Sequence, residues 1–106
     1  MSSLEALREA ARLSPDNVPL QLLYAHACLE QVLPDEARAA FDRVLALDPR
    51  HSAARLGVAR VHYLTGRNSE AAVRLEDLLG DRPDDGAARR LLARVLGSPQ
   101  ARARSL

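Results

Sequence analysis

The sequence predicts an all-α fold, a solenoid of about six helices arranged as stacked helix-turn-helix units. Three observations predict it. Pro15, Pro49 and Pro83 stand 34 residues apart, each just after an amphipathic segment, in a chain with only six prolines. Between them the apolar residues follow helical spacing: Ala37, Ala40, Phe41, Val44 and Leu45 share one face, and Ala71, Leu75 and Leu78 return at the repeat offset. The chain is rich in Ala and Leu but has two Tyr, one Phe and no Trp, a composition for helices packed at short distance rather than for a sheet. A fixed period of this length means units that cover one another's apolar faces.

Taken in order, residues 3–13 form a helix with Leu4, Leu7, Ala10, Ala11 and Leu13 inward; the register makes it the second helix of a unit. Asp16 or Asn17 caps the next helix, Pro19 is tolerated in its first turn, and the helix continues to about Val32. That helix is apolar almost all round, so it expects cover on more than one side. Pro34 and Asp35 open the helix over 35–47, and Asp48 and Pro49 close it. A helix over 52–64 ends at Thr65 with Gly66 as its left-handed terminator, and one over 69–79 ends at Gly80. After the loop DRPDDG a last helix runs over 87–96. The organisation expected is one domain over 1–97: a half repeat 1–15, full repeats 18–51 and 52–85, and a half repeat 86–97. Residues 98–106 follow as a disordered basic tail.

Within each unit Tyr24, Ala25 and Cys28 precede Ala37, Phe41 and Pro49 at the offsets at which Val58, Ala59 and His62 precede Ala71, Leu75 and Pro83. This order of large, small, large, then small, large apolar and proline resembles the tetratricopeptide repeat over nearly the whole chain. Two pattern positions depart from it: its Trp falls on Gln21 and Arg55, and its Gly on Ala25 and Ala59. The resemblance implies a right-handed solenoid in which the first helices of successive units line a concave groove. Carried over residue by residue, the lining is Pro19, Leu22, His26 and Leu29, then Ala53, Leu56, Arg60 and Tyr63, then Ala87, Arg90 and Arg94. The groove is thus expected to be apolar at its N-terminal end and cationic at its C-terminal end. Arg60, Arg90 and Arg94, with Tyr63 as a stacking surface, would receive the carboxylates of an acidic peptide, and Leu22, Leu29 and Leu56 its apolar anchors, with His26 between. The bland reading stands beside it: these Arg solubilise the last helix and pair with nearby acids. Contiguous exposed Leu at the apolar end would still call for a covering partner. The family's basic clamp for a chaperone's terminal carboxylate is absent, since its sites read Leu22, His26, Gly57, Ala87 and Leu91.

Charge and chemistry narrow the function. The net charge is +1, but residues 1–50 hold five Arg against eight acidic residues (−3) and residues 51–106 ten Arg against six (+4). Every basic residue is Arg, which reflects either a GC-rich bacterial genome or selection for bidentate contacts to carboxylates. The single Cys28 excludes an internal disulfide, and no apolar run approaches the ~18 residues of a membrane span. With no signal pattern at the N-terminus, the chain is expected in the cytoplasm. No Gly-rich loop with Lys, HExxH, CxxC or GxSxG is present, so no enzyme is expected. His26 and Cys28 lie two apart on different helix faces and cannot share a metal; His62 and Cys28 read as core residues, and no cofactor is called for. Asp42, Glu76 and Asp77 read as a solvated face. Neither a membrane nor a nucleic acid is expected as partner; Arg90, Arg94, Arg102 and Arg104 lack aromatic platforms. The expected function is a non-catalytic interaction module that binds a peptide or protein segment in the groove. The alternative is self-assembly, in which a second copy completes the half repeats.

Overall fold

The structure, a computed structural model, describes residues 2–97. Among them it contains six helices and no strand: α1 Ser3–Leu13, α2 Val18–Glu30, α3 Pro34–Leu47, α4 Ser52–Leu64, α5 Asn68–Asp81 and α6 Gly86–Leu96. Each helix packs on the next in sequence, α2 also touches α4, and α4 also touches α6. The even helices therefore form the closer layer and α1, α3 and α5 the outer one.

Local chemistry repeats at the same 34-residue step. Asn17, His51 and Asp85 each accept the backbone N–H three residues ahead, from Leu20 (3.1 Å), Ala54 (3.3 Å) and Ala88 (3.0 Å), and so start α2, α4 and α6. The turns before them close alike, with Asn17 donating to Ser14 O (3.2 Å), His51 to Asp48 O (3.1 Å) and Asp85 to Arg82 O (3.1 Å). The turns from α2 to α3 and from α4 to α5 are also a pair. Leu33 N–H donates to Cys28 O (2.9 Å) and Arg67 N–H to His62 O (2.8 Å), around a left-handed residue at Val32 (φ +58°) or Gly66 (φ +79°). The helix expected to run to Val32 accordingly stops at Glu30, because its terminator is Val32 itself. Gly80 does not end α5 as expected. The helix continues to Asp81, whose carboxylate is held by Arg55 (2.8 Å) and Arg50 (3.3 Å), and Arg82 N–H bonds Leu78 O (2.8 Å) as the cap.

The core falls into two clusters. The first joins α2, α3 and α4 around Phe41, Val44, Val58, Ala25 and Cys28, with Leu4 of α1 against its edge; the second joins α4, α5 and α6 around Leu75, Leu78, Ala59, Leu91 and Val95. Small residues sit where helices cross: Ala25 and Ala59 are buried, so the backbones approach closely. Gly57 is closer still, since a Cβ there would lie 2.3 Å from Phe41 Cε1. Leu13, expected inward, is exposed because it is the last residue of α1 and lies past its crossing with α2. In place of the pattern's Trp, the buried Gln21 donates through Nε2 to Ala11 O (2.9 Å) and Ser14 O (3.3 Å), tying α2 to the end of α1. Among the described residues no helix is long and apolar enough to cross a membrane. The tail expected to be disordered, with Arg102 and Arg104, lies outside the described residues.

Candidate functional site

The groove positions come from the inner layer, spaced so that they rise on one side of α2, α4 and α6. On α2, Leu22 and Leu29 are half-buried against the first core, and His26 is exposed with its ring edge-on to Phe41, centroids 5.5 Å apart. On α4, Leu56 and Tyr63 are half-buried against the second core, and Arg60 is half-buried between them. On α6, Arg90 and Arg94 are exposed. Pro19 and Ala53 are exposed at the helix starts and Ala87 is half-buried.

The apolar end thus differs from expectation. Leu22, Leu29 and Leu56 do not form a contiguous exposed patch, because each is partly absorbed by the core beneath it. The cationic end is better formed. Arg60, Arg90 and Arg94 line one cavity of about 140 Å³ whose remaining walls are Ala87 and Leu91. Leu91 was a position that sequence reasoning assigned only to the missing clamp; here its nearly buried side chain walls the cavity. Among the described residues Arg60, Arg90 and Arg94 are in no ion pair, nor are Arg43, Arg74, Arg82 and Arg89, whereas Arg8, Arg12, Arg38, Arg50, Arg55 and Arg67 all are; what sets the three apart is that they line one cavity. Asp85, at the start of α6, has committed a carboxylate oxygen to the Ala88 amide. Burial and the Arg60 charge hold the His26 imidazole below the usual histidine range, so it stays neutral beside this cluster.

Two other depressions are larger. One of about 250 Å³ lies among α1, α2 and α3, walled by Arg8, Arg12, Gln21, Tyr24, Glu36 and Arg43. Its charges are largely spent on one another: Arg8 grips Glu36 bidentately (2.6 and 3.1 Å), Tyr24 donates to the same carboxylate, and Arg12 pairs with Glu9 (2.6 Å). The Arg8 guanidinium and the Tyr24 hydroxyl hold Glu36 below the usual carboxylate range. Burial, with Glu36 nearby, pushes the Cys28 thiol up to about 11, so it stays a buried, unreactive thiol. The other depression, about 320 Å³, lies over Asp35, Arg38, Val61, His62, Thr65 and Arg67. His62 was read as a plain core residue. It is buried, but it is also a polar junction: Arg74 Nε donates to its Nε2 (3.0 Å), and its Nδ1 lies 3.3 Å from Glu70. This network, which Arg38 of α3 also approaches at 3.4 Å from His62 Nε2, went unread because its members sit on three helices and only His62 occupies a pattern position. Asp42, read as part of a solvated face, is exposed and pairs there with Arg38 (3.0 Å). Among the described residues no three His, Cys, Asp or Glu side chains stand together as metal ligands.

Comparison with known proteins agrees with this architecture. Two family models, both described as Tetratricopeptide repeat, match residues 32–95 and 1–50. Among solved structures, the chain is similar to the second TPR domain of human RPAP3, in complex with an HSP70 peptide, SGPTIEEVD. The identity is 21%, the TM-score 0.78, and the match covers 90% of this chain and 79% of that one. It is also similar to a thermophilic TPR protein of Thermus thermophilus, at 28% identity and TM-score 0.74, covering 89% of this chain and 48% of that one. No curated protein matches the chain.

Proposed function

The chain belongs to the tetratricopeptide repeat family, and from that membership we propose that it is a non-catalytic scaffold or adaptor module, working in the cytoplasm, that binds a segment of another protein in the groove of α2, α4 and α6. The observation that carries the reading is the cavity of Arg60, Arg90 and Arg94, three cations without an ion-pair partner among the described residues. Holding like charges together unneutralised is unfavourable, and a bound anion relieves it. The ligand class that fits is an acidic segment, its carboxylates on the guanidiniums and its apolar side chains beside Leu22, Leu29, Leu56 and Tyr63. The peptide held by the RPAP3 domain is itself acidic, with two Glu and one Asp among its nine residues. A chaperone tail is not proposed, because the clamp positions read Leu22, His26, Gly57, Ala87 and Leu91.

The test is a peptide array in which Asp and Glu alternate with Leu, set against the same array with Lys in place of the acids. It is probed with the native chain and with an Arg60→Glu, Arg90→Glu, Arg94→Glu variant shown by circular dichroism to be equally helical. Acidic peptides should bind the native chain, and their affinity should fall by about tenfold or more in the variant. Equal binding by both forms, or preference for the Lys array, removes the groove as the site.

A second reading, self-assembly, is favoured by one face of α6. Ala93 and Leu96 occupy the register of Ala59 and His62, which pack against α5; Leu96 is 54% exposed where His62 is 4%. We read the domain as full repeats 18–51 and 52–85 between half repeats, so that α1 of a second copy can lie where a following helix would. Sedimentation at rising concentration tests this: a strictly monomeric species removes it, and association abolished by Leu96→Asp supports it.

A further inference from the structure

We propose that the cavity of Arg60, Arg90 and Arg94 recognises a phosphorylated side chain, so that the segment bound in the groove is a phosphopeptide; this rests on the groove being a peptide site. A carboxylate brings one negative charge and two oxygens, which a single guanidinium satisfies through a bidentate pair. Arg8 on Glu36 is the example in this molecule, at 2.6 and 3.1 Å. Placed in the α4/α6 cavity, one carboxylate would leave two of the three Arg without a partner. A phosphomonoester brings about −1.5 to −2 charges and three acceptor oxygens, one for each guanidinium.

The surroundings favour the more highly charged ligand. Among the described residues no carboxylate is paired with the three Arg, and Asp85 is occupied at the Ala88 amide. The remaining walls, Ala87 and Leu91, are apolar and offer nothing that competes for the anion. Arg90 Nη1 lies 3.2 Å from where a Gly86 Cβ would be, so this guanidinium is folded back beside the first turn of α6, facing the cavity it lines. The arrangement also discriminates against nucleic acid. A phosphodiester strand carries one charge per nucleotide along a line and asks for a stripe of cations with stacking platforms. Here the three cations close on one cavity of about 140 Å³.

The experiment has two parts. First, arginine side-chain resonances of the labelled chain are followed during titration with inorganic phosphate and, separately, with acetate. Phosphate should shift the Nε–Hε signals of Arg60, Arg90 and Arg94, and acetate at the same concentration should shift them less. Second, anisotropy is measured on three degenerate peptide libraries with phosphoserine, Glu or Ser at the fixed central position. The phosphoserine library should bind at least about tenfold tighter than the Glu library. Arg90→Gln and Arg94→Gln, of unchanged helicity and melting, should lower it to the Glu level. Equal binding of the phosphoserine and Glu libraries overturns the phosphoryl reading and leaves the groove as a peptide site. Binding of none of the three removes both. A single-stranded oligonucleotide that binds tighter than the phosphoserine library also overturns the proposal.

Discussion

Two residues carry local conflicts that the rest of the chain has had to accommodate. Val32 is a β-branched residue at φ +58°, 79% exposed, in the turn where the next unit places Gly66 at φ +79°. A left-handed backbone costs a non-Gly residue ~1–2 kcal/mol, part of which is offset because Gly has more freedom to lose on folding. Val32→Gly should therefore stabilise the chain by about 0.5–1 kcal/mol, seen as a higher urea midpoint at unchanged slope; a lower midpoint would mean the Val side chain makes contacts worth more than its strain. His62 is the second conflict. It is kept neutral by burial and by Arg74 on α5 and Arg38 on α3, with Glu70 on α5 opposing them and Arg67 in the turn adding to them. Its folded pKa lies below the unfolded value near ~6.5, so between the two the unfolded chain takes up a proton that the folded chain refuses. Stability is full above ~6.5 and declines as pH falls toward the folded value. His26 is lowered too and contributes with the same sign, while Glu9, Glu36 and Asp81 act only in the lower carboxylate range. The loss of urea midpoint between about pH 7.5 and about pH 5.5 should be smaller in His62→Gln than in the native chain. A loss of the same size would show that His62 takes up its proton alike in the folded and the unfolded chain.

At the scale of elements, neighbouring units solve one packing problem in two ways. Between α3 and α4 the pair is Phe41 on Gly57, a ring filling the space that the glycine leaves; between α5 and α6 the equivalent positions hold Leu75 and Leu91. Gly57→Leu alone drives a side chain into a fully buried ring and should cost well over the ~1–3 kcal/mol of ordinary overpacking. Phe41→Leu alone opens a cavity. The double change installs the α5/α6 solution, and it should recover most of the loss, with a coupling energy of ~1–3 kcal/mol in a urea double-mutant cycle. Additive losses would mean that the two interfaces differ in geometry and not only in side chains. The same pair shows what the sequence made legible. Repeat length, helix order and the buried faces follow from register, because register determines which side of a helix a residue takes, whereas the grouping of Arg60, Arg90 and Arg94 needed the resemblance to the repeat family as well. Depth of burial does not follow: Leu22, Leu29 and Leu56 lie on the expected side yet are half-covered, since coverage depends on how closely the next helix approaches. Nor did register disclose His51 as a cap, or the Arg8, Tyr24 and Glu36 network, which joins three helices and of which only Tyr24 is a repeat-pattern position.

Across the whole molecule, stacking sets a gradient of stability. The chain is elongated, 48 × 27 × 19 Å with a radius of gyration of 14.4 Å, and each helix is held only by close neighbours in sequence. Stability in such an array is a sum over adjacent interfaces, so an element with fewer of them opens more easily. Helices α3 and α4 are covered on both sides, whereas among the described residues α6 packs on α5 and α4 alone and leaves Leu96 in solvent. α1 rests on α2, with Gln21 on its C-terminal carbonyls and Arg8 on Glu36 as its added ties. Amide hydrogen exchange should therefore be slowest in α3 and α4 and faster in both α1 and α6, which open several kcal/mol below the global transition. Repeating the experiment at a hundredfold higher concentration separates the two readings of α6. If the face of Leu92, Ala93 and Leu96 is covered by another copy, protection of α6 rises with concentration while that of α3 and α4 stays the same. If protection of α6 does not respond to concentration, no second copy covers that face. Protection of α6 equal to that of α4 in the dilute sample would contradict the nearest-neighbour account itself, because no second interface would be present to supply it.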